Sequence, residues 1–336
     1  MREASTLRRA VVRPLVRVLG APAGAALATA LRLSGRRVGV ALVYHAVALP
    51  VRDPEREILP PHPPDLFAAQ LRHLARWYRV VDARELRAAA AGRRRGERFP
   101  VALTFDDDLR EHVDRALPAL VGARAQATFF LCGCALDRPV AFWWQRLQRA
   151  ADAGHPDLAG LVSSRSPLEL EPRPPLRRVA LAVELMGPAD RDAVAAELLA
   201  YAGPDPETSG LRREDVRALV EAGMQVGFHT LRHDALDLLP DDELARALQR
   251  GRSELEAVVG EPIRTIAYPH GRADERVARA ARAAGFEHGF AGQGKPVRPE
   301  VDPLLVPRMT PSHRSAGHFA LQLALALLGA GGRRRA

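Results

Sequence analysis

Two short stretches hold the residues best suited to chemistry. Thr104-Phe105-Asp106-Asp107-Asp108 closes one apolar run, and His229-Thr230-Leu231-Arg232-His233 closes another. Together they offer two imidazoles and an acidic cluster, the makings of a divalent-metal site with a spare carboxylate beside it. A metal next to a base is the minimum equipment for activating water, so the pair points to a metal-dependent hydrolase. The four-residue spacing of His229 and His233 puts two imidazoles on one face of a helical turn. Each stretch is weak alone. The aspartates could cap a following helix, or serve as the D-x-D metal site of a glycosyltransferase. Their shared context strengthens them: both follow Phe-containing strand-like runs and both precede helix-like ones.

The elements that must position these residues alternate. Apolar runs at 38–44, 101–105, 127–131, 224–228, 265–268, 286–290 and 304–306, with a short one at 78–81, read as strands. Helical spacing occurs at 66–74, 83–91, 111–120, 212–222, 241–259 and 274–284. This alternation predicts a parallel sheet or barrel of the α/β class. Residues 140–210 break the rhythm: Phe142-Trp143-Trp144 opens a helix, and helical stretches follow at 176–186 and 189–202. They read as a helical insertion. In a β/α barrel, chemistry gathers where strands end, and Asp106, His229, His45 and Pro269-His270 all fall at such positions. Trp143 and Trp144 fit a hydrophobic anchor for the insertion better than a sugar-stacking platform.

Composition excludes several classes. The chain has 336 residues and a formal net charge of +9, yet all but one of its 49 basic residues are arginines spread along its length. A nucleic-acid binder clusters basic residues with aromatics, so no nucleic-acid partner is expected. Arg93-Arg94-Arg95 reads as a solvated turn. Cys132 and Cys134 are too close on one strand for a disulfide and read as buried thiols. Gly289 to Lys295 has phosphate-loop spacing, but Pro296 follows where a hydroxyl is needed. No G-x-S-x-G elbow exists, so a serine hydrolase is unsupported.

The ends divide the chain into a basic segment 1–37, a domain 38–310 and a C-terminal helix with basic tail 311–336. The apolar stretch 18–31 is too short and too interrupted to span a membrane. Both ends could lie on a membrane surface as amphipathic helices, or pack on the domain. A cytoplasmic or membrane-peripheral location is favoured over secretion.

With these motifs in order, the chain resembles the polysaccharide deacetylase family, the NodB-homology or carbohydrate esterase family 4 enzymes. The family's T-F-D-D-G resembles 104–108, its H-[ST]-x-x-H is matched by 229–233, and its third motif resembles Ala267-Tyr268-Pro269-His270-Gly271. The resemblance covers about 38–308. It implies a distorted (β/α) barrel of the NodB type and removal of N-acetyl groups from amino sugars of a glycan. It also implies Asp106 as general base, and Asp107, His229 and His233 as ligands of a divalent metal. Zinc suits that ligand set first; cobalt, nickel and manganese also fit. Tyr268, Pro269 and His270 would shape the oxyanion site. Three departures stand out: Asp108 replaces a glycine, Ala267 stands where an arginine often orients the base, and His270 replaces a tyrosine. A left-handed backbone is expected at Asp108, which aspartate tolerates. The family's general acid has no clear match; His45 is the first candidate, with His270 beside it and His288, His313 and His318 candidates by type alone. These gaps leave a catalytically weak, glycan-binding member as the alternative, with a metal-dependent glycosyltransferase behind it. Arg308 lies in a segment of no derivable role.

Overall fold

The apolar runs become strands because their β-branched and aromatic residues can be buried on both faces of a sheet. In the computed structural model, which describes residues 2–50, 56–171, 174–292 and 294–329, there are eight. They are β1 (Val40–Tyr44), β2 (Arg79–Val80), β3 (Pro100–Asp106), β4 (Thr128–Leu131), β5 (Gln225–Phe228), β6 (Thr265–Ala267), β7 (His288–Ala291) and β8 (Val306–Met309). All pair in parallel. β1, β3, β4, β5, β6, β7 and β8 follow one another around a ring and β8 returns to β1, so seven strands close a barrel. β2 adds a short strand at the start of β3. The distortion has a location: β5 and β6 share one registered pair, Phe228 with Ile266, whereas β4 and β5 share four.

Strand alternation sorts the side chains into two cores. Leu42, Leu103, Phe105, Phe129, Phe228 and Ile266 point outward and pack with the surrounding helices. Ala41, Ala102, Phe130, Ala267, Phe290 and Val306 fill the barrel. Continuing the inward register along β3 and β8 brings Asp106 and Arg308 to the same end of the barrel. The expected long helix at 241–259 is two helices, Asp241–Ala247 and Arg252–Val259, because Gly251 between them adopts a φ of 80°.

The insertion comprises the helices Trp143–Asp152, Leu158–Ser163, Leu176–Glu184 and Pro188–Ala202. It has its own core of Leu147, Val162, Val179, Val183, Val194 and Leu198. It docks to the barrel mouth through a buried ion pair between Arg191 and Asp234, the residue after His233.

The terminal helices Arg2–Arg32 and Ala316–Leu327 pack against each other. Their backbones approach closely: a Cβ at Gly20 would lie 2.6 Å from the Gly317 carbonyl oxygen, and one at Gly24 equally near that of Ala320. Ala28, Leu31, Phe319, Leu323 and Leu327 extend the outer core. Arg93 departs from its expected solvated role. It is buried, and its guanidinium donates to the carbonyls of Arg32, Ser34, Arg36 and Glu97, fastening the end of the first helix. Among the described residues, no helix is long and apolar enough to cross a membrane. The basic tail Arg333-Arg334-Arg335 lies outside the described residues.

Candidate active site

Asp107, at the end of β3, and His229 and His233, after β5, converge in a buried cluster whose ligand atoms all lie within 4.8 Å of one another. His233 Nε2 is 3.3 Å and His229 Nε2 3.6 Å from Asp107 Oδ1. Donor atoms about 3.3 Å apart are what tetrahedral coordination with bonds of about 2.0–2.1 Å requires. His229 is set for this by its other nitrogen. Nδ1 lies 2.8 Å from the Ala267 carbonyl and donates to it, leaving the Nε2 lone pair facing the carboxylates. Burial lowers the His229 pKa to about 4, against the neighbouring carboxylates, so the ring is neutral and able to ligate. Asp107 Oδ1 has no hydrogen bond of good geometry among the described residues. A buried, ionised and unpartnered carboxylate oxygen facing two imidazoles fits a divalent cation.

Asp106 is held differently. Arg308, the inward residue of β8, clamps it with two parallel bonds, Nη1 to Oδ1 at 2.6 Å and Nη2 to Oδ2 at 2.7 Å. Arg308 Nη1 also donates to Thr104 Oγ1, whose hydroxyl donates to the Leu42 carbonyl. Burial pushes the Asp106 carboxyl up, but the Arg308 charge and hydrogen bonds, with His229, overcome it and hold the pKa below its ordinary value. The group is therefore an acceptor of protons. Arg308 fills the role left open by Ala267. The two residues of the clamp are 202 apart in sequence, and only the register of a closed barrel joins them.

The turns carrying these groups are strained. Left-handed φ angles occur at Asp107 (76°), Thr230 (62°), His233 (51°) and His270 (59°), four of the five such non-glycine residues described. The histidines thus sit on a left-handed turn, not the expected helical one, and the left-handed aspartate is Asp107 in place of Asp108. Asp108 instead turns back toward β4 and accepts from the Cys132 N–H at 2.8 Å and the Cys134 N–H at 3.1 Å. Burial raises its pKa to about 6 against those bonds. It is a strut that ties the ends of two strands. Cys132 is buried and Cys134 half-buried, and both are free.

A cavity of about 640 Å³ opens over the cluster. His45, one residue past β1, lines it together with Asp106, Asp107, His229, His233 and His270. It lies close enough to act electrostatically on both Asp106 and Asp107. His270 Nδ1 lies 3.4 Å from Glu184 of the insertion, while its Nε2 has no hydrogen-bond partner among the described residues. Burial and the nearby His233 hold the His270 ring well below its ordinary pKa. Tyr268 faces away: it is fully buried among the outer core, its hydroxyl donating to the Leu304 carbonyl at 2.8 Å. Pro269 is buried beneath the turn. His288, His313 and His318 do not line the cavity; His313 stacks on His62, and His318 Nδ1 meets the Ser315 hydroxyl. Trp143 and Trp144 are both core residues of the insertion and part of the cavity wall.

Comparison with known proteins agrees with this arrangement. The family model for polysaccharide deacetylase matches residues 93–156 and 197–289. Over those residues the chain matches the sequence pattern of the polysaccharide deacetylase family. The unmatched stretch between those segments falls within the insertion. A search of curated protein sequences finds no match. Among solved structures, the deacetylase PplD from Streptococcus pyogenes, in complex with acetate, has a TM-score of 0.57 at 16% identity, covering 85% of this chain and 98% of that one. IcaB from Ammonifex degensii has a TM-score of 0.56 at 21% identity, over 84% and 97% of the two chains. A de-N-acetylase from Aggregatibacter actinomycetemcomitans has 0.51 at 16%, over 81% and 94%. At such identities the likeness is one of fold. It places this chain on the NodB-type barrel.

Proposed function

We propose that the protein is a metal-dependent hydrolase that removes N-acetyl groups from amino sugars of a glycan. The observation carrying this reading is the buried Asp107 Oδ1, without a hydrogen bond among the described residues, facing His229 and His233 beside the Arg308-clamped Asp106. Asp107, His229 and His233 would hold a divalent cation, zinc first, with cobalt, nickel or manganese also suited. Bound there, it would supply Lewis-acid polarisation of the acyl carbonyl and acidify a water.

The chain's own groups divide the remaining work. Asp106 is ionised and takes the proton of the attacking water. Arg308 fixes the direction of that carboxylate and keeps it charged. The backbone N–H on the Pro269-His270 turn is assigned to the developing oxyanion. An amide leaving group must be protonated as it departs, and His45, on the cavity wall near both carboxylates, is assigned as donor. A weak, merely glycan-binding protein loses one of its two supports, the missing arginine, because Arg308 supplies the clamp that Ala267 lacks. Membrane contact and a cytoplasmic or membrane-peripheral location belong to the same proposal and rest on sequence alone.

The test is acetate release from a panel of N-acetylated glycans by chelator-treated protein and by the same protein resupplied with Zn²⁺. Release only after metal return supports the reading. No release from any glycan with any of the four metals would defeat it.

A further inference from the structure

The wall of the cavity facing the cluster is built from chain outside the shared motifs. Trp143, Trp144, Leu181 and Glu184 come from the insertion, and Ile58 and Leu59 from the loop after β1. The helix Leu176–Glu184 lies wholly within the stretch that the family model skips. Loop and insertion are fastened together. Arg177 Nε donates to the Glu57 carbonyl at 2.8 Å, and the Ile58 N–H donates to Gln148 Oε1 at 2.9 Å. One bond comes from each of two insertion helices, so the wall is continuous on this side.

This wall also carries unused donors. Trp143 is 8% exposed and Trp144 7%, and neither indole N–H has a partner among the described residues. Buried donors without partners are exceptions in folded proteins and call for a ligand or water. Set among Ile58, Leu59, Ala180 and Leu181 on this wall, they are fixed points for reading the oxygens of a sugar.

We propose that the insertion makes this site specific for a terminal N-acetylated sugar, with the indole N–H groups of Trp143 and Trp144 donating to its oxygens. The proposal rests on the deacetylase reading. A glycan deacetylated in mid-chain must leave the cluster in two directions, and the fastened wall closes one. The 640 Å³ of the cavity matches pockets of about 300–1,000 Å³ that take one drug-sized ligand, the size of about two sugar rings.

The experiment uses the metal-loaded full chain on chitin oligomers and peptidoglycan-derived glycans, from disaccharide to hexasaccharide, with the deacetylated position read by mass spectrometry. Loss of acetate from one end unit only, with kcat/KM changing by less than about 3-fold along the series, is expected. Deacetylation of internal units, with kcat/KM rising with length, would overturn the inference and leave the deacetylase reading standing. No acetate from any oligomer would overturn both. The paired substitution of Arg177→Ala and Gln148→Ala, which unfastens the loop, should bring internal units into the product. Trp143→Phe or Trp144→Phe keeps a ring and removes the donor; KM for the disaccharide should rise about 10-fold with kcat and metal content held. Unchanged KM in both variants would show that the indoles only pack.

Discussion

The barrel mouth and the helical insertion bury their polar groups in opposite ways. In the insertion, Asp205 is fully used: it accepts from the Ala141 N–H at 3.0 Å, from Arg146 at 3.0 and 2.6 Å, and from Arg149 at 3.4 Å. At the mouth, Asp107 Oδ1, His233 Nδ1, Thr230 Oγ1 and His270 Nε2 are buried without hydrogen-bond partners among the described residues, on turns that hold non-glycine residues left-handed. Each such orphan costs about 1–3 kcal/mol, and each strained residue a similar amount. Beyond its Trp143 and Trp144 indoles, the insertion is arranged for stability, and the mouth is held ready for a ligand. A bound cation would repay part of that cost, so metal should stabilise the fold as well as activate it.

The sharpest way to break this contrast is to remove a ligand. His229→Ala and His233→Ala should each abolish binding of about one divalent metal per chain, acetate release and the rise in Tm that metal gives the wild type. Metal analysis and thermal melting check this. Full occupancy in both variants would sink the assignment. Asp106→Asn comes next: it should keep the metal and lose about 10²-fold or more in turnover, the scale of general-base loss. Metal loss in Asp106→Asn, with Asp107→Asn still binding, would reverse the two roles.

His45→Ala tests the proton donor. Turnover of an amide should fall about 10²-fold, while an activated ester, whose leaving group needs no proton, should lose far less. Equal losses on the two substrates would reduce His45 to a packing or positioning group.

Arg308→Gln separates clamp from base. Without the guanidinium, burial is left to push the Asp106 carboxyl upward. A base with a raised pKa is lost by protonation at higher pH, so the acid limb of the kcat/KM profile should move up. Activity should fall about 10-fold near pH 6 and less near pH 8. An acid limb that stays in place would mean that Arg308 does not set the charge of Asp106.

The same contrast explains what the sequence could reveal. Asp106, Asp107, His229 and His233 stand in two short stretches at the ends of apolar runs, so local reading finds them. The barrel follows from the β-α alternation for a similar reason. Arg308 stayed without a role because its partner is on β3, brought near only by the pairing of both strands with β1, and no local pattern marks an inward-facing residue of a late strand. The left-handed turns were misplaced because spacing alone cannot distinguish a helical turn from a strained one. Glu184, Leu181 and the loop at Ile58 escaped notice because they reach the cavity only once the insertion has folded on its own core. Arg93 looked solvated for lack of the helix end that buries it.

The smallest expected effect on turnover lies in the insertion. Asp205→Ala removes the acceptor that Arg146, Arg149 and the Ala141 N–H share, leaving guanidinium groups buried with less to bond. Removing one partner of a fully buried pair costs about 3–5 kcal/mol. Here Arg146 and Arg149 keep 17% and 27% of their side-chain surface, and water can partly replace the carboxylate, so a loss of about 2 kcal/mol is expected. Denaturant melts would show that loss, while metal content and turnover per folded molecule should stay within about 2-fold of wild type. If Asp205→Ala instead lost its metal, the insertion could not be a separately stabilised wall. Strain at the mouth would then be shared with it through Arg191 and Asp234, the buried pair that joins the insertion to the residue after His233.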